Sequence, residues 1–217
     1  MSKIQIIPTI LVNNFEDFEK QLAKTEGLSD IVQIDVMDGD FVPFQSFEDI
    51  EKINGVKTKA KFELHLMVQN PLIEMEKWTK IKNISRVIFH VESKDDPKVC
   101  IDFARQSGWL VGMALNPETA LFVAEPYYGL VDEIMFLTVY PGRQGAPFIP
   151  EVKDKIKEFT AIANRPLCAA DGGVSKSNIG ELAKLGVDIF CVGSAILTAP
   201  DAKIAYNELI NRAMNGV

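Results

Sequence analysis

Eight short apolar segments recur along the chain, and this periodicity constrains the fold more than any other feature. Most of them are nearly continuous in hydrophobicity, without polar alternation, which is typical of parallel strands covered on both faces. Their starts lie about 22 to 33 residues apart, the length of one βα unit. The predicted strands span residues 4–9, 31–36, 61–67, 86–91, 110–115, 133–139, 166–170 and 188–192.

The segments between these strands show helical periodicity. Asn14 is a candidate N-cap for a helix whose apolar residues Phe18 and Leu22 share one face, and Gly186 is a suitable stop for a later helix. Repeated βα units predict an α/β fold, specifically one (β/α)8 TIM barrel domain over residues 1–217. A doubly wound open sheet is the alternative, because periodicity does not report whether a sheet closes.

Composition and charge argue against two classes of binding partner, nucleic acids and membranes. The net charge of −7 argues against a nucleic-acid surface, and no apolar run reaches the length of about 18 residues that a membrane span needs. The apolar N-terminal segment contains Pro8 and is predicted to be a strand, not a signal peptide. Cys100, Cys168 and Cys191 follow no zinc or disulfide pattern. We therefore expect reduced thiols in a cytoplasmic protein without nucleic-acid or membrane partners.

Polar residues interrupt the apolar strands near their carboxyl ends, where both candidate folds carry their functional sites. Gln33 and Asp35 share a face of strand 2, Glu63 and His65 have the same spacing on strand 3, and Asp171 follows strand 7. An Asp, His and Asp set can bind a divalent metal ion with a position left for substrate. Two carboxylates can also remove and return a proton, while a strand-end Asp can simply cap a turn.

Three glycine-rich turns follow strands 6, 7 and 8, in the stretches YPGRQG, ADGGVS and VGSAI. Backbone N–H groups of such turns approach anions closely, and a helix N-terminus adds favourable partial charge. The loops after strands 7 and 8 of a (β/α)8 barrel frequently bind phosphate. A glycine turn alone often does no more than reverse the chain, so the prediction of a phosphate site depends on the three turns together.

Seven sequence stretches, distributed over almost the whole chain, form one ordered set of motifs. They are IDVMDGDFVP, LHLMVQNP, IFHVES, ALNPET, TVYPGRQG, DGGVSKSNI and VGSAI. In this order they resemble the ribulose-phosphate 3-epimerase family, which includes closely similar ketohexose-phosphate epimerases. The resemblance implies an enzyme that inverts C3 of a ketose phosphate through an enediolate, with D-ribulose 5-phosphate or a hexulose phosphate as substrate. It also implies a homo-oligomer.

The resemblance assigns roles to individual residues. Asp35 and Asp171 would be the acid/base pair on opposite faces of the substrate, and with His65 they would ligate one divalent metal ion. Zinc is the first expectation, with manganese, iron, cobalt or magnesium as alternatives. Substrate would contact Thr9, His65, Met37 and Met67, and its phosphate would lie against Gly142, Arg143, Gly145, Gly172, Gly173, Gly193 and Ser194. The two methionines could also be ordinary core residues.

The chain departs from the family pattern around the metal. Gln33 stands where a fourth ligand, His, is usual, and an amide oxygen is a poorer zinc ligand than imidazole. We therefore expect a weakly held ion. Ala169 replaces a usual Glu two residues before Asp171, which removes a partner of the metal ligands. Four further departures are Thr9 for Ser, Leu137 for Met, Tyr140 for an acidic residue and Arg143 for an aromatic.

Two other functions stay open. A phosphosugar decarboxylase or aldol-type synthase on the same barrel would carry an Asp-x-Lys-x-x-Asp motif on strand 3, where this chain has ELHLMV without Lys. A phosphosugar-binding protein without turnover would keep the anion site, and Gln33 and Ala169 are compatible with it. His90 either lines the pocket or is a hydrogen-bonded structural histidine.

Overall fold

The computed structural model describes residues 4–142 and 145–216, which form a closed barrel of eight parallel strands. Each strand pairs with the next, and β1 pairs with β8 to close the ring. The predicted barrel is therefore confirmed, and the open sheet is excluded. The strands are β1 (Gln5–Ile10), β2 (Ile31–Met37), β3 (Lys61–Met67), β4 (Ile84–His90), β5 (Leu110–Leu115), β6 (Glu133–Leu137), β7 (Leu167–Asp171) and β8 (Ile189–Val192).

Helices connect most of the strands around the outside of the barrel. Between β5 and β6 there are two short 3-10 turns instead, Leu121–Val123 and Glu125–Tyr127, where Pro126 removes a backbone donor that a longer helix would use. The helices are α1 (Phe15–Thr25), α2 (Ile50–Gly55), α3 (Pro71–Trp78), α4 (Pro97–Gln106), α5 (Val152–Thr160), α6 (Ile179–Lys184), α7 (Ser194–Leu197) and α8 (Ala202–Met214).

Local signals in the sequence act where they were predicted. The Asn14 side chain accepts a hydrogen bond from the Asp17 N–H at 2.9 Å and so caps α1, whose Phe18 and Leu22 are buried. Gly186 follows α6 with a φ of +92°, in the left-handed region that ends many helices. In the part of the chain that the structure describes, no helix combines the length and apolarity needed to cross a membrane. The three cysteines are free and buried.

The alternation of side chains along each strand divides the core in two. Outward residues such as Val32, Ile34 and Val36 pack beneath the helices in the larger cluster. Inward residues fill the barrel, and eight of them form a smaller apolar cluster. Its members are Ile7, Ile88, Ala114, Met135, Leu137, Ala169, Ile189 and Cys191.

A charged group is also buried inside the barrel and was not predicted. Arg86 Nη1 donates to Glu63 Oε2 at 2.6 Å and also to Glu133 Oε2, and both carboxyl groups are fully buried. Burial raises the pKa of Glu133 to about 8, since one guanidinium serves two acids. Gly112 makes room for the group, because a Cβ there would lie 2.8 Å from the Glu133 Cγ. The two buried carboxyl groups therefore depend on Arg86 as their cation.

We expect Arg86→Met to lower the free energy of unfolding by about 3–5 kcal/mol, because two buried acids would lose their cation. The matched control is Arg105→Met, which breaks a partly exposed pair with Asp132 (2.7 Å) and should cost no more than about 1 kcal/mol. Urea unfolding at neutral pH measures both. Equal losses in the two variants would contradict a structural role for the buried group.

Candidate active site

Strands β2 and β3 turn three pairs of side chains into the barrel in register. Gln33 lies opposite Glu63, Asp35 opposite His65, and Met37 opposite Met67. The residues between them are apolar and point outward, so the polar residues of these strands share the interior face. The two strands therefore bring Gln33, Asp35 and His65 together near the top of the barrel.

Asp171 joins this group from β7 and completes a closed ring of hydrogen bonds. Gln33 Nε2 donates to Asp35 Oδ1 and to Asp171 Oδ2, both at 2.8 Å. His65 Nδ1 lies 3.2 Å from the same Asp35 oxygen and 3.0 Å from the same Asp171 oxygen. Two nitrogen donors thus hold two carboxylates side by side. We refer to these four residues as the carboxylate ring.

Burial and charge shift the pKa values inside the carboxylate ring. Burial raises the pKa of Asp35 above its ordinary value, although the hydrogen bond from His65 opposes the shift. Burial alone would lower the pKa of His65, but its bonds to Asp171 and Asp35 prevail and raise the pKa to about 10. Without an ion, His65 is therefore a cation at neutral pH that carries a proton on Nδ1.

The ring opens onto a cleft at the carboxyl ends of the strands. Asp35 and Asp171 are each 9% exposed, whereas Gln33 and His65 are at most 1% exposed, so a ligand in the cleft meets the carboxylates first. The cleft encloses about 570 Å³ of space open to solvent. It is lined by these acids and by Thr9, Leu11, Met37, His65, Met67, Leu137, Val139, Pro141, Gly142, Gly145, Ala146, Gly172, Gly173, Val174, Cys191, Gly193 and Ser194.

The carboxylate ring fits a divalent ion. Asp35, His65 and Asp171 each offer one donor atom, and these atoms lie within 4.8 Å of one another. Two carboxylates and an imidazole suit zinc and related ions. Gln33 Oε1 is buried and has no hydrogen-bond partner among the described residues, so its oxygen is available if the amide turns. The donor set predicted from the sequence is thus assembled.

The glycines predicted to bind phosphate also border the cleft, with one correction. The sequence also predicts that the turns after strands 7 and 8 lead directly into helices. Ser194 does begin α7 directly after β8, but α6 begins only at Ile179, so Gly172 and Gly173 do not lie at a helix N-terminus. Gly173 has a φ of +63°, and a Cβ there would lie 2.9 Å from the Phe148 backbone N. Arg143 lies outside the described residues.

The remaining predicted residues fall into two groups. Met37 and Met67 pack together with Val42 in a small apolar cluster and also line the cleft, and their contact with substrate stays a prediction. Thr9 borders the cleft as well, and its buried hydroxyl has no partner within the described part of the chain. Tyr140, in contrast, is 60% exposed.

Sequence reasoning missed Thr138, and it left the role of His90 open; the structure places His90 in hydrogen-bond contact with His65 and Glu92 and not among the residues that line the cleft. Thr138 donates from its backbone N–H (2.7 Å) and its hydroxyl (3.0 Å) to the Asp171 carbonyl oxygen, which fixes the end of β7. His90 lies against His65, with ring centroids 5.2 Å apart. The contact between His90 and His65 could be inferred only once β3 and β4 were known to be adjacent. A threonine after a strand, such as Thr138, carries no distinctive signal.

The chain is similar to known proteins in sequence and in fold. Residues 5–197 match the model of the ribulose-phosphate 3 epimerase family. The ribulose-phosphate 3-epimerase of Escherichia coli K12 is 31% identical over 219 residues, 96% of each chain, and that of Schizosaccharomyces pombe is 29% identical over 99% of this chain and 96% of its own. A 3-hexulose-6-phosphate synthase from Salmonella typhimurium superposes with a TM-score of 0.73 over 99% of this chain and 100% of its own, but at 16% identity it shows the fold alone.

The protonated state of His65 predicts that metal affinity depends on pH. Below its pKa of about 10, an ion must displace the proton from Nδ1, so apparent zinc affinity should increase about tenfold per pH unit between about pH 6 and pH 8. Competition with a chelator measures this slope. His65→Gln should lose most of the slope together with affinity. A flat profile in the unmodified protein would show that Nδ1 is not the binding atom.

Proposed function

Because the chain belongs to the ribulose-phosphate 3-epimerase family, we propose that it inverts C3 of a ketose phosphate, either D-ribulose 5-phosphate or a hexulose phosphate. One observation carries this proposal. Asp35 and Asp171 reach the cleft from β2 and β7 while the same two buried donors hold both carboxylates. Epimerisation needs such a pair, since the proton leaves one face of C3 and returns on the other.

The reaction follows from the acidity of the C3–H bond beside the C2 carbonyl. One carboxylate removes the C3 proton as a base, and the electron pair moves into the C2 carbonyl to give an enediolate. The other carboxyl group, protonated beforehand, delivers a proton to the opposite face of C3 and regenerates the carbonyl. The raised pKa of Asp35 suits this work, because an acid/base group is most effective when its pKa lies closer to the working pH.

The other residues of the site orient the acids and limit water. Gln33 and His65 are at most 1% exposed, and in the ion-free site their hydrogen bonds hold the two carboxylates in place. Met37, Met67 and Leu137 are buried apolar residues that border the cleft beside the acids. They keep the reacting carbon in an environment of low polarity, where charge interactions are stronger than in water.

A divalent ion would be held by Asp35, His65 and Asp171, and the Gln33 Oε1 would be a fourth ligand. When bound, such an ion supplies positive charge to the C2 oxygen, where negative charge develops. Zinc is the first candidate, and manganese, iron, cobalt and magnesium are alternatives that the donor set also accepts.

The phosphate would lie at the opposite end of the cleft, against the turns after β6, β7 and β8. Gly142, Gly145, Gly172, Gly173, Gly193 and Ser194 all border the cleft, and this supports the assignment. Their backbone N–H groups are the proposed donors. The single domain over residues 1–217, the homo-oligomer, the cytoplasmic location and a phosphate contact by Arg143 stay predictions.

Replacing either acid tests the two-carboxylate mechanism. We expect Asp35→Asn and Asp171→Asn each to lower the rate of D-ribulose 5-phosphate epimerisation at least about 10²–10⁴-fold, because each variant lacks one proton carrier. The matched control is Asp40→Asn, an exposed neighbour, which should retain normal turnover. Near-normal turnover in Asp171→Asn would contradict the assignment. A barrel that only binds phosphosugars would leave C3 unexchanged in D₂O even in the unmodified protein.

Replacing Gln33 tests the metal. We expect Gln33→His to tighten zinc binding and to raise activity at limiting zinc, because imidazole is a better zinc ligand than an amide oxygen. A zinc titration of both proteins measures the effect. If the Gln33 NH₂ group instead contacts a substrate hydroxyl without any ion, exhaustive chelation would leave turnover unchanged and Gln33→His would impair it.

A further inference from the structure

We propose that Glu92 and His90 are positioning residues that orient the proton of His65, so that His65 presents an unprotonated Nδ1 to the metal. The inference rests on the metal site proposed above and concerns residues outside the carboxylate ring. It identifies a function for His90, whose role the sequence left open, and for Glu92, which the sequence did not single out.

The first link joins two buried histidines. His65 Nε2 lies 3.0 Å from His90 Nε2, and the two rings are nearly parallel, with an interplanar angle of 19°. Each residue is 1% exposed, so water does not compete for this contact. Phe41 packs over His90 with ring centroids 4.8 Å apart. Between two nitrogens at this distance only one carries the proton, so the protonation of one ring decides that of the other.

The second link joins His90 to a carboxylate. His90 Nδ1 lies 3.2 Å from Glu92 Oε2. The other Glu92 oxygen, Oε1, accepts hydrogen bonds from the Asn116 backbone N–H at 2.8 Å and from the Thr119 hydroxyl. Burial would raise the pKa of Glu92, but hydrogen bonds from His90 and Thr119 prevail and keep it below its ordinary value. Glu92 is therefore an ionised group that only accepts.

Lys155 fixes the loop that holds Glu92. Its Nζ donates to three carbonyl oxygens of this loop, those of Asn116 (2.9 Å), Pro117 (2.9 Å) and Thr119 (2.7 Å). The donors to Glu92 Oε1 thus belong to a segment tied to α5. In this arrangement Oε1 is turned toward the loop, and Oε2 faces His90.

The direction of every proton follows from this arrangement. Because Glu92 only accepts, His90 carries its proton on Nδ1 and leaves a lone pair on Nε2. That lone pair accepts the Nε2–H of His65. A neutral His65 then has its own lone pair on Nδ1, facing Asp35 and Asp171, where a metal ion would bind. The opposite tautomer of His65 would place two lone pairs against each other at 3.0 Å.

Glu92→Gln should reverse the donor and the acceptor in the hydrogen bond with His90, without changing the size of the side chain. The amide oxygen would stay with the two donors, Asn116 N–H and Thr119 hydroxyl, so the NH₂ group would face His90 Nδ1. His90 would then carry its proton on Nε2 and would no longer accept the Nε2–H of His65, so His65 could not give up its Nδ1 proton to an ion and keep its other proton hydrogen-bonded. We expect zinc affinity, measured by chelator competition, to fall about 10–100-fold, as for other residues that orient metal ligands. The control is Glu118→Gln, an exposed acid of the same loop, which should bind zinc normally.

A second measurement uses the unmodified, metal-free protein. The chain contains two histidines, so a long-range ¹⁵N–¹H spectrum shows two imidazole rings. We expect His90 to carry its proton on Nδ1, and Glu92→Gln to move that proton to Nε2. A His90 proton on Nε2 in the unmodified protein would overturn the inference, as would equal zinc affinity in Glu92→Gln and Glu118→Gln. If the unmodified protein binds no zinc, the proposed metal site itself fails and the inference fails with it.

Discussion

The structure is organised around two buried carboxylates that would repel each other without the donors between them. Asp35 and Asp171 come from strands on different sides of the barrel, and each directs one oxygen at the same pair of nitrogens, Gln33 Nε2 and His65 Nδ1. An unpaired buried charge is costly, so the barrel can place two acids here only because β2 and β3 supply these donors in register. The proposed acid/base pair is thus held by the same hydrogen bonds that make its burial possible.

The barrel interior holds two buried polar groups. The carboxylate ring lies near the carboxyl ends of the strands, and Arg86 pairs with Glu63 and with Glu133, the first residue of β6. Apolar side chains such as Ile88, Met135 and Ala169 also pack inside the barrel. Buried charged groups of this kind seldom add net stability, but they penalise any misplacement of the strands that carry them.

Gln33 distinguishes this site from one with four strong metal ligands. An amide can present either NH₂ or oxygen to the same neighbours, whereas an imidazole nitrogen that accepts a metal has already lost its proton. Gln33 bridges the two acids through its NH₂ group, and if the amide turned, its oxygen would become a ligand in the proposed metal site. One side chain would therefore accommodate both the metal-free site and the proposed metal-bound site, with weaker ligation than imidazole gives.

The sequence by itself determined a fold of eight repeated βα units, the strand ends that carry the site and the identity of the polar residues there. Hydrophobic period and glycine turns are local signals, and side-chain alternation places Gln33 and Asp35 on one face whatever surrounds them. Only the tertiary structure decided which strands are neighbours, and with that the contacts of His65 with His90, of Thr138 with Asp171 and of Arg86 with Glu133. These pairs lie 25, 33 and 47 residues apart, and nothing in the intervening chain specifies them. Closure of the barrel determined these contacts, because it sets the stagger between strands and so determines which inward side chains meet at each level.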